Sequence, residues 1–100
     1  MKADLPVNYA LDQAYPNPFN PSATIRYQSP VESRVELKVY NLLGQSVATL
    51  ADGLQDAGYK QVVWNARNCA SGVYIYRLEA VSVIDPEKTF SGVGKILLVK

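Results

Sequence analysis

Residues 34–40 read RVELKVY. In an extended chain Val35, Leu37 and Val39 fall on one side. Arg34, Glu36 and Lys38 fall on the other, and Tyr40 joins that polar side. A period of two marks a strand with one face buried and one face wet, the habit of antiparallel sheets. The same period governs the sequence on both sides of this stretch. Asn41-Leu42-Leu43-Gly44-Gln45 reads as a tight connection in which Gly44 supplies a positive φ. Ser46 to Leu50 is the return strand, and Asp52-Gly53 and Asp56-Ala57-Gly58 carry turn chemistry. Tyr59 to Asn65 is the next strand, with Val62 and Trp64 facing one way and Lys60 and Gln61 near a rim. A loop over Asn65 to Gly72 leads to the longest β stretch, Val73 to Ile84. There Tyr74, Tyr76 and Leu78 oppose Ile75, Arg77 and Glu79. Asp85-Pro86-Glu87-Lys88 predicts a type I turn. Thr89 to Lys100 returns as the last strand, with Gly92 and Gly94 expected to make a bulge or kink. Upstream, Ala23 to Tyr27 is a further strand. No window sustains a helical stripe.

Six or seven short strands separated by turn signals predict an all-β, antiparallel β-sandwich. One hundred residues fit one domain, and 48% hydrophobic with 19% charged residues is enough for a core and unlike a disordered tail. The expected core is Ile25, Val35, Leu37, Val39, Val47, Leu50, Val62, Trp64, Tyr74, Tyr76, Leu78, Ile96 and Leu98, with Trp64 as its central pin.

The composition excludes much chemistry. There is no histidine, which removes the Ser-His-Asp triad, the Cys-His pair and the commonest general base. One cysteine, Cys69, permits no internal disulfide and no cysteine zinc site. It reads as a small half-buried filler near a turn. The close carboxylate pairs Glu32/Glu36, Asp52/Asp56 and Asp85/Glu87 sit on strand faces or in turns, where charges are solvated; calcium at Asp52/Asp56 or Asp85/Glu87 stays an open alternative, though neither stretch has the dense oxygen spacing of a calcium loop. Gly92-Val93-Gly94-Lys95 fails as a phosphate loop: Thr89 replaces the first glycine and Ile96 the Ser or Thr. Asn20-Pro21-Ser22 is barred from N-glycosylation by its proline. Ten basic and nine acidic residues, spread along the chain, give no basic tract for nucleic acid. No apolar run approaches the ~20 residues of a membrane helix. MKADLPVNYA has no apolar core of a signal peptide. The sequence therefore reads as non-catalytic, without metal or cofactor. Seven tyrosines leave a carbohydrate platform open, with Tyr40 on the polar face.

One stretch stands apart. Residues 15–21 read YPNPFNP, where Pro16, Pro18 and Pro21 remove three backbone donors. They also bias Tyr15, Asn17 and Asn20 toward extended conformations. The segment can be neither helix nor central strand. Phe19, its one large apolar residue, is expected to pin it to the core.

Four motifs resemble one family, the type IX secretion (Por system) C-terminal sorting domain, type A. LDQAYPNPFNPSATIRYQ (11–28) is similar to L-x-Q-N-Y-P-N-P-F-N-P-x-T-x-I-x-Y/F. VYNLLGQSVATL (39–50) is similar to V-Y-D-x-x-G-R-x-V-x-x-L. ASGVYIYRLEA (70–80) is similar to A-S-G-V-Y-x-Y-R-L, and KILLVK (95–100) to K-M-x-L-x-K. Ala14 and Gln45 depart from these patterns, and the Val81–Ser91 hairpin is longer than the common form. The middle motifs also resemble an Ig-like module of the flagellar hook-capping protein. The resemblance implies an Ig-like sandwich over residues 9–100, with 1–8 a flexible tail or linker remnant. It implies a signal that directs an N-terminal cargo, after a periplasmic stage, through an outer-membrane translocon to the surface or medium. A sortase-like peptidase is a further implied partner. Carried over motif by motif, the sorting residues are Pro16, Asn17, Pro18, Phe19, Asn20, Pro21, Gly44, Gly72, Tyr74, Lys95, Ile96, Leu98 and Lys100. The alternatives are a structural or adhesive Ig-like module and a carbohydrate-binding accessory module of a secreted enzyme. The apolar run Ile96–Val99 suggests either a buried last strand or an open edge that takes a partner.

Overall fold

A computed structural model describes residues 4–100; of the expected N-terminal tail, residues 1–3 lie outside the described residues. The strands are β1 (Ala10–Leu11), β2 (Ser22–Ser29), β3 (Ser33–Tyr40), β4 (Ser46–Gln55), β5 (Gly58–Asn65), β6 (Gly72–Ser82) and β7 (Thr89–Leu98). They form two antiparallel sheets, of order β1-β2-β5 and β4-β3-β6-β7. This is the expected sandwich without a disulfide. Its fourth strand lies beside β3, whereas in a constant-type Ig domain that strand joins the opposite sheet.

β3 occupies the middle of the larger sheet because its alternation is clean. Val35, Leu37 and Val39 are buried, and each faces a residue of β6: Ala80, Leu78 and Tyr76 respectively. From the smaller sheet Ala23, Ile25 and Tyr27 close over them. Trp64 is buried too, but its partner is Ala23 near one end of β2. It therefore pins one pole of the sandwich, not its centre.

Three expectations need correction. β4 runs on through Asp52-Gly53 to Gln55, so that dipeptide is not a turn. Gly53, at φ 142°, pairs with Val35 in a conformation that suits glycine. The registers Lys38↔Thr49 and Leu37↔Ala51 leave Leu50 as an extra residue; Tyr40↔Ser46 and Val39↔Ala48 leave Val47 as another. These two bulges break the period of two. Val47 is thereby turned out to 38% exposure and is not core, whereas Leu50 stays partly buried with Ala48 and Ala51.

Gly92 and Gly94 make no bulge either: β6 and β7 pair without a register shift, with Gly94 opposite Tyr76. Here glycine is needed for space. A Cβ at 94 would overlap the Tyr76 ring, and one at 92 would crowd Leu11 and Phe90. Other turns follow their chemistry. Gly44 has φ 85°, and the Lys88 amide donates to the Asp85 carbonyl at 2.8 Å, closing the β6–β7 hairpin.

The registers place the connections at two poles. The start of β2, the β3–β4 turn, the β5–β6 loop and the end of β7 share one pole. The β2–β3 and β4–β5 connections, the β6–β7 hairpin and the start of β1 share the other. At this second pole Pro6 is buried, and the Tyr9 hydroxyl meets Ser33 Oγ at 2.7 Å.

Gly94→Ala is expected to displace the Tyr76 ring and lower stability by about 1–3 kcal/mol, the usual cost of overpacking a core; a chemical-denaturation midpoint checks it. Burial pushes the Tyr76 phenol above its ordinary 10.0, with the Ala14 amide pulling it partly back. Burial does the same to Tyr27 against its bond to Gln55. In the unfolded chain these phenols ionise near 10, whereas the folded protein resists. Stability is therefore expected to fall as pH rises above about 10, seen as melting curves that drop together with growth of tyrosinate absorbance.

Candidate recognition site

The proline-rich lead-in crosses from one sheet to the other. It starts against the smaller sheet, where the Tyr15 amide donates to the Thr24 carbonyl at 3.0 Å and the Thr24 amide returns a bond at 2.7 Å. It ends against the free edge of β7. There the Phe19 amide donates to the Leu97 carbonyl at 2.9 Å, and the Val99 amide donates to the Phe19 carbonyl at 3.0 Å. The result is a parallel bridge between Phe19 and Leu98.

Asn17 covers the next stretch of the edge with its side chain. Pro16 and Pro18 flank it and have no N–H to offer. The amide group of Asn17 substitutes for a peptide unit: Oδ1 accepts from the Leu97 amide at 3.0 Å and Nδ2 donates to the Lys95 carbonyl at 3.2 Å. Gln13 Nε2 adds a longer bond to the same carbonyl at 3.3 Å. The edge of the last strand is thus occupied from Lys95 to Val99. An open edge, one of the two readings of Ile96–Val99, is not found over these residues.

Beneath this strap lies an aromatic stack. Phe19 is buried as expected, with its ring 5.2 Å from Trp64, and Trp64 meets the edge of Tyr74 at 5.2 Å. Such contacts add about 0.5–1.5 kcal/mol each beyond burial. Tyr74 also donates its hydroxyl to the Ala70 carbonyl at 2.6 Å. That is the tyrosine corner of Ig-like sandwiches, here closing the β5–β6 loop at the start of β6. The start of the lead-in is held by Tyr76, whose hydroxyl accepts from the Ala14 amide at 2.8 Å and donates to the Asp12 carbonyl at 3.1 Å. Lys100 reaches the β5–β6 loop: its amide donates to Ser71 Oγ at 3.1 Å and Nζ donates to the Arg67 carbonyl at 2.7 Å.

The sequence-derived sorting residues therefore divide by exposure. Phe19, Tyr74, Ile96 and Leu98 are buried and hold the pole together. Pro21 and Gly72 are half-buried. Pro16, Asn17, Pro18, Asn20, Lys95 and Lys100 are exposed along the strap and strand. Gly44 is exposed in the β3–β4 turn at the same pole but is not part of the strap. The carried-over sorting residues omit Gln13, although it stands at the Q of the L-x-Q-N-Y-P pattern. Leu97 and Val99, which the sequence offered only within the apolar run Ile96–Val99, are 37% and 48% exposed beside Lys95.

The first and last motifs thus meet at one pole of the sandwich, and no cluster of metal-ligating side chains is found among the described residues. The family model described as secretion system C-terminal sorting domain matches residues 13–89. The chain belongs to that family and is a C-terminal sorting signal for type IX secretion cargo. Its destination is the cell surface or the medium, through the periplasm. The family is not catalytic, and its members engage the type IX machinery. The KILLVK stretch lies beyond the matched residues. No curated protein matches the chain.

The Asn17→Ala variant is expected to release the Leu97 amide while leaving the core intact. Hydrogen exchange at Leu97 should speed up by a factor of about 10 or more, with Leu78 unchanged. Unchanged exchange at Leu97 would show that the Asn17 carboxamide does not protect the edge.

Proposed function

We propose that the secretion machinery reads the pole where the lead-in straps the last strand. The observation that carries this is the pairing of Asn17 and Phe19 with Lys95–Val99. It joins the first and last motifs into one surface. Pro16, Asn17, Pro18, Asn20, Lys95 and Lys100 then supply its polar and conformationally stiff contacts. Leu97 and Val99 supply apolar ones. Phe19, Tyr74, Ile96 and Leu98 act from below by fixing that surface in place. Preorganisation of this kind lowers the entropy that a partner must overcome on docking.

In this reading residues 9–100 are the sorting unit and 1–8 join it to the cargo. β1 begins at the opposite pole, where Ala10 pairs with Gln28. Cargo thus attaches far from the recognised surface and leaves it free. The first partner is the outer-membrane translocon; a sortase-like peptidase follows. The chain itself carries no catalysis and needs no cofactor.

The test is export of a periplasmic reporter fused ahead of the 100-residue chain in a type IX-competent host. The parent fusion is expected outside the cell. Lys95→Glu combined with Val99→Glu should hold it in the periplasm with its melting temperature within a few degrees of the parent. Arg34→Glu, exposed on β3 near the opposite pole, should be exported normally. Export of the folded double variant at parental level would remove this pole as the recognised surface.

A further inference from the structure

The sandwich has four edge strands, and three of them are defended. β7 is strapped by the lead-in from Lys95 to Val99. β4 is bulged twice, and β1 has only two residues. Covering, bulging and shortening are the usual protections against edge-to-edge pairing. β5 has none of them. It pairs with β2 over all eight residues from Gly58 to Asn65 without a register shift.

Its hydrogen-bonding polarity can be read from the end of the strand. The Ala66 amide donates to the Pro21 carbonyl at 2.8 Å. Alternation in an antiparallel ladder then directs the even residues, Trp64, Val62 and Lys60, toward β2. Tyr59, Gln61 and Val63 direct their N–H and C=O groups outward, and among the described residues no strand pairs with them. The same three side chains lie on the exposed face, with Tyr59 at 65% and Val63 at 59% exposure.

We infer that β5 is a self-association edge, at which a second copy of this chain pairs antiparallel about a two-fold axis through Gln61. The sequence GYKQVVWN is complementary to itself in that register. Gln61 faces Gln61 of the second copy as a hydrogen-bonded pair, and Tyr59 faces Val63 on either side. An aromatic residue opposite a β-branched one is a favourable cross-strand pair. Lys60, the only charged residue of the strand, faces Val62, so no like charges stand directly opposite. The contact is isologous and closed, as a two-fold dimer requires. It turns two three-stranded sheets into one six-stranded sheet. Antiparallel pairing also sends the two strapped poles to opposite ends, so both stay open to the secretion machinery. This inference does not depend on which pole that machinery reads.

Sedimentation velocity of the intact chain over a concentration series tests it. The parent is expected to shift from monomer to dimer as concentration rises. Gln61→Pro removes an outward N–H only, and proline is tolerated where a strand N–H faces solvent. It should fold and raise the dimer dissociation constant by a factor of about 10 or more. Gln61→Lys places two ammonium groups on the axis and should also weaken the dimer. Mixing it with Gln61→Glu should restore a mixed dimer, a readout that holds even if the proline variant fails to fold. A parent that stays monomeric throughout overturns the inference. So does a dimer that persists in Gln61→Lys, or a mixture that associates no better than Gln61→Lys alone.

Discussion

A β-sandwich made from seven strands must end each of its sheets somewhere, and every end exposes unpaired peptide groups. Here the critical end is the last strand. Its outward amides and carbonyls are met by a segment that has lost three of its own amides to proline. The Phe19 backbone supplies one pair of bonds and the Asn17 carboxamide another. The lead-in thereby closes the sheet without becoming a strand. Because it is also bonded to Thr24, it ties the two sheets together at one pole.

The rest of the pole follows from that closure. With its backbone on β7, Phe19 turns its ring into the core against Trp64. Trp64 in turn rests against Tyr74, whose hydroxyl fastens the β5–β6 loop. At the upstream end, Tyr76 holds Ala14 and Asp12, and its ring occupies the space left by Gly94. Residues that read as a signature when taken one at a time thus form a single chain of contacts. Their identity is constrained first by packing and hydrogen bonding. Only the outward members of the set are available to a partner.

For a sorting signal this arrangement has a functional consequence. The motif residues are distant in sequence and become one surface only after folding; in the function proposed above, the folded domain and not a linear peptide presents the signal. The strap gives that surface a fixed geometry, and in the same proposal cargo joins at the opposite pole, away from it. The same economy of edges leaves β5 as the long, regular edge that is neither covered, bulged nor shortened.

Period-two alternation, cleanest from Arg34 to Tyr40 and repeated along the later strands with turn signals between, was enough for the class of fold, the faces of β3 and β6, and most of the core. Period-two patterning survives wherever the ladder is regular. The lead-in was legible as extended, with Phe19 as its anchor, because proline restricts its own φ and that of the residue before it. What local pattern could not reveal was anything requiring knowledge of the opposing strand. Val47 looks like core until two bulges shift the register of β4. Gly94 looks like a kink until the Tyr76 ring is seen against it. Asn17 looks like one more extended position of the lead-in until its carboxamide is found on Lys95 and Leu97. Sequence by itself determined which side of each strand is apolar and where donors are missing, because these are properties of single residues. Only the tertiary structure decided which edges are covered and which motifs meet, because hydrogen-bond partners and steric gaps are properties of pairs distant in the chain.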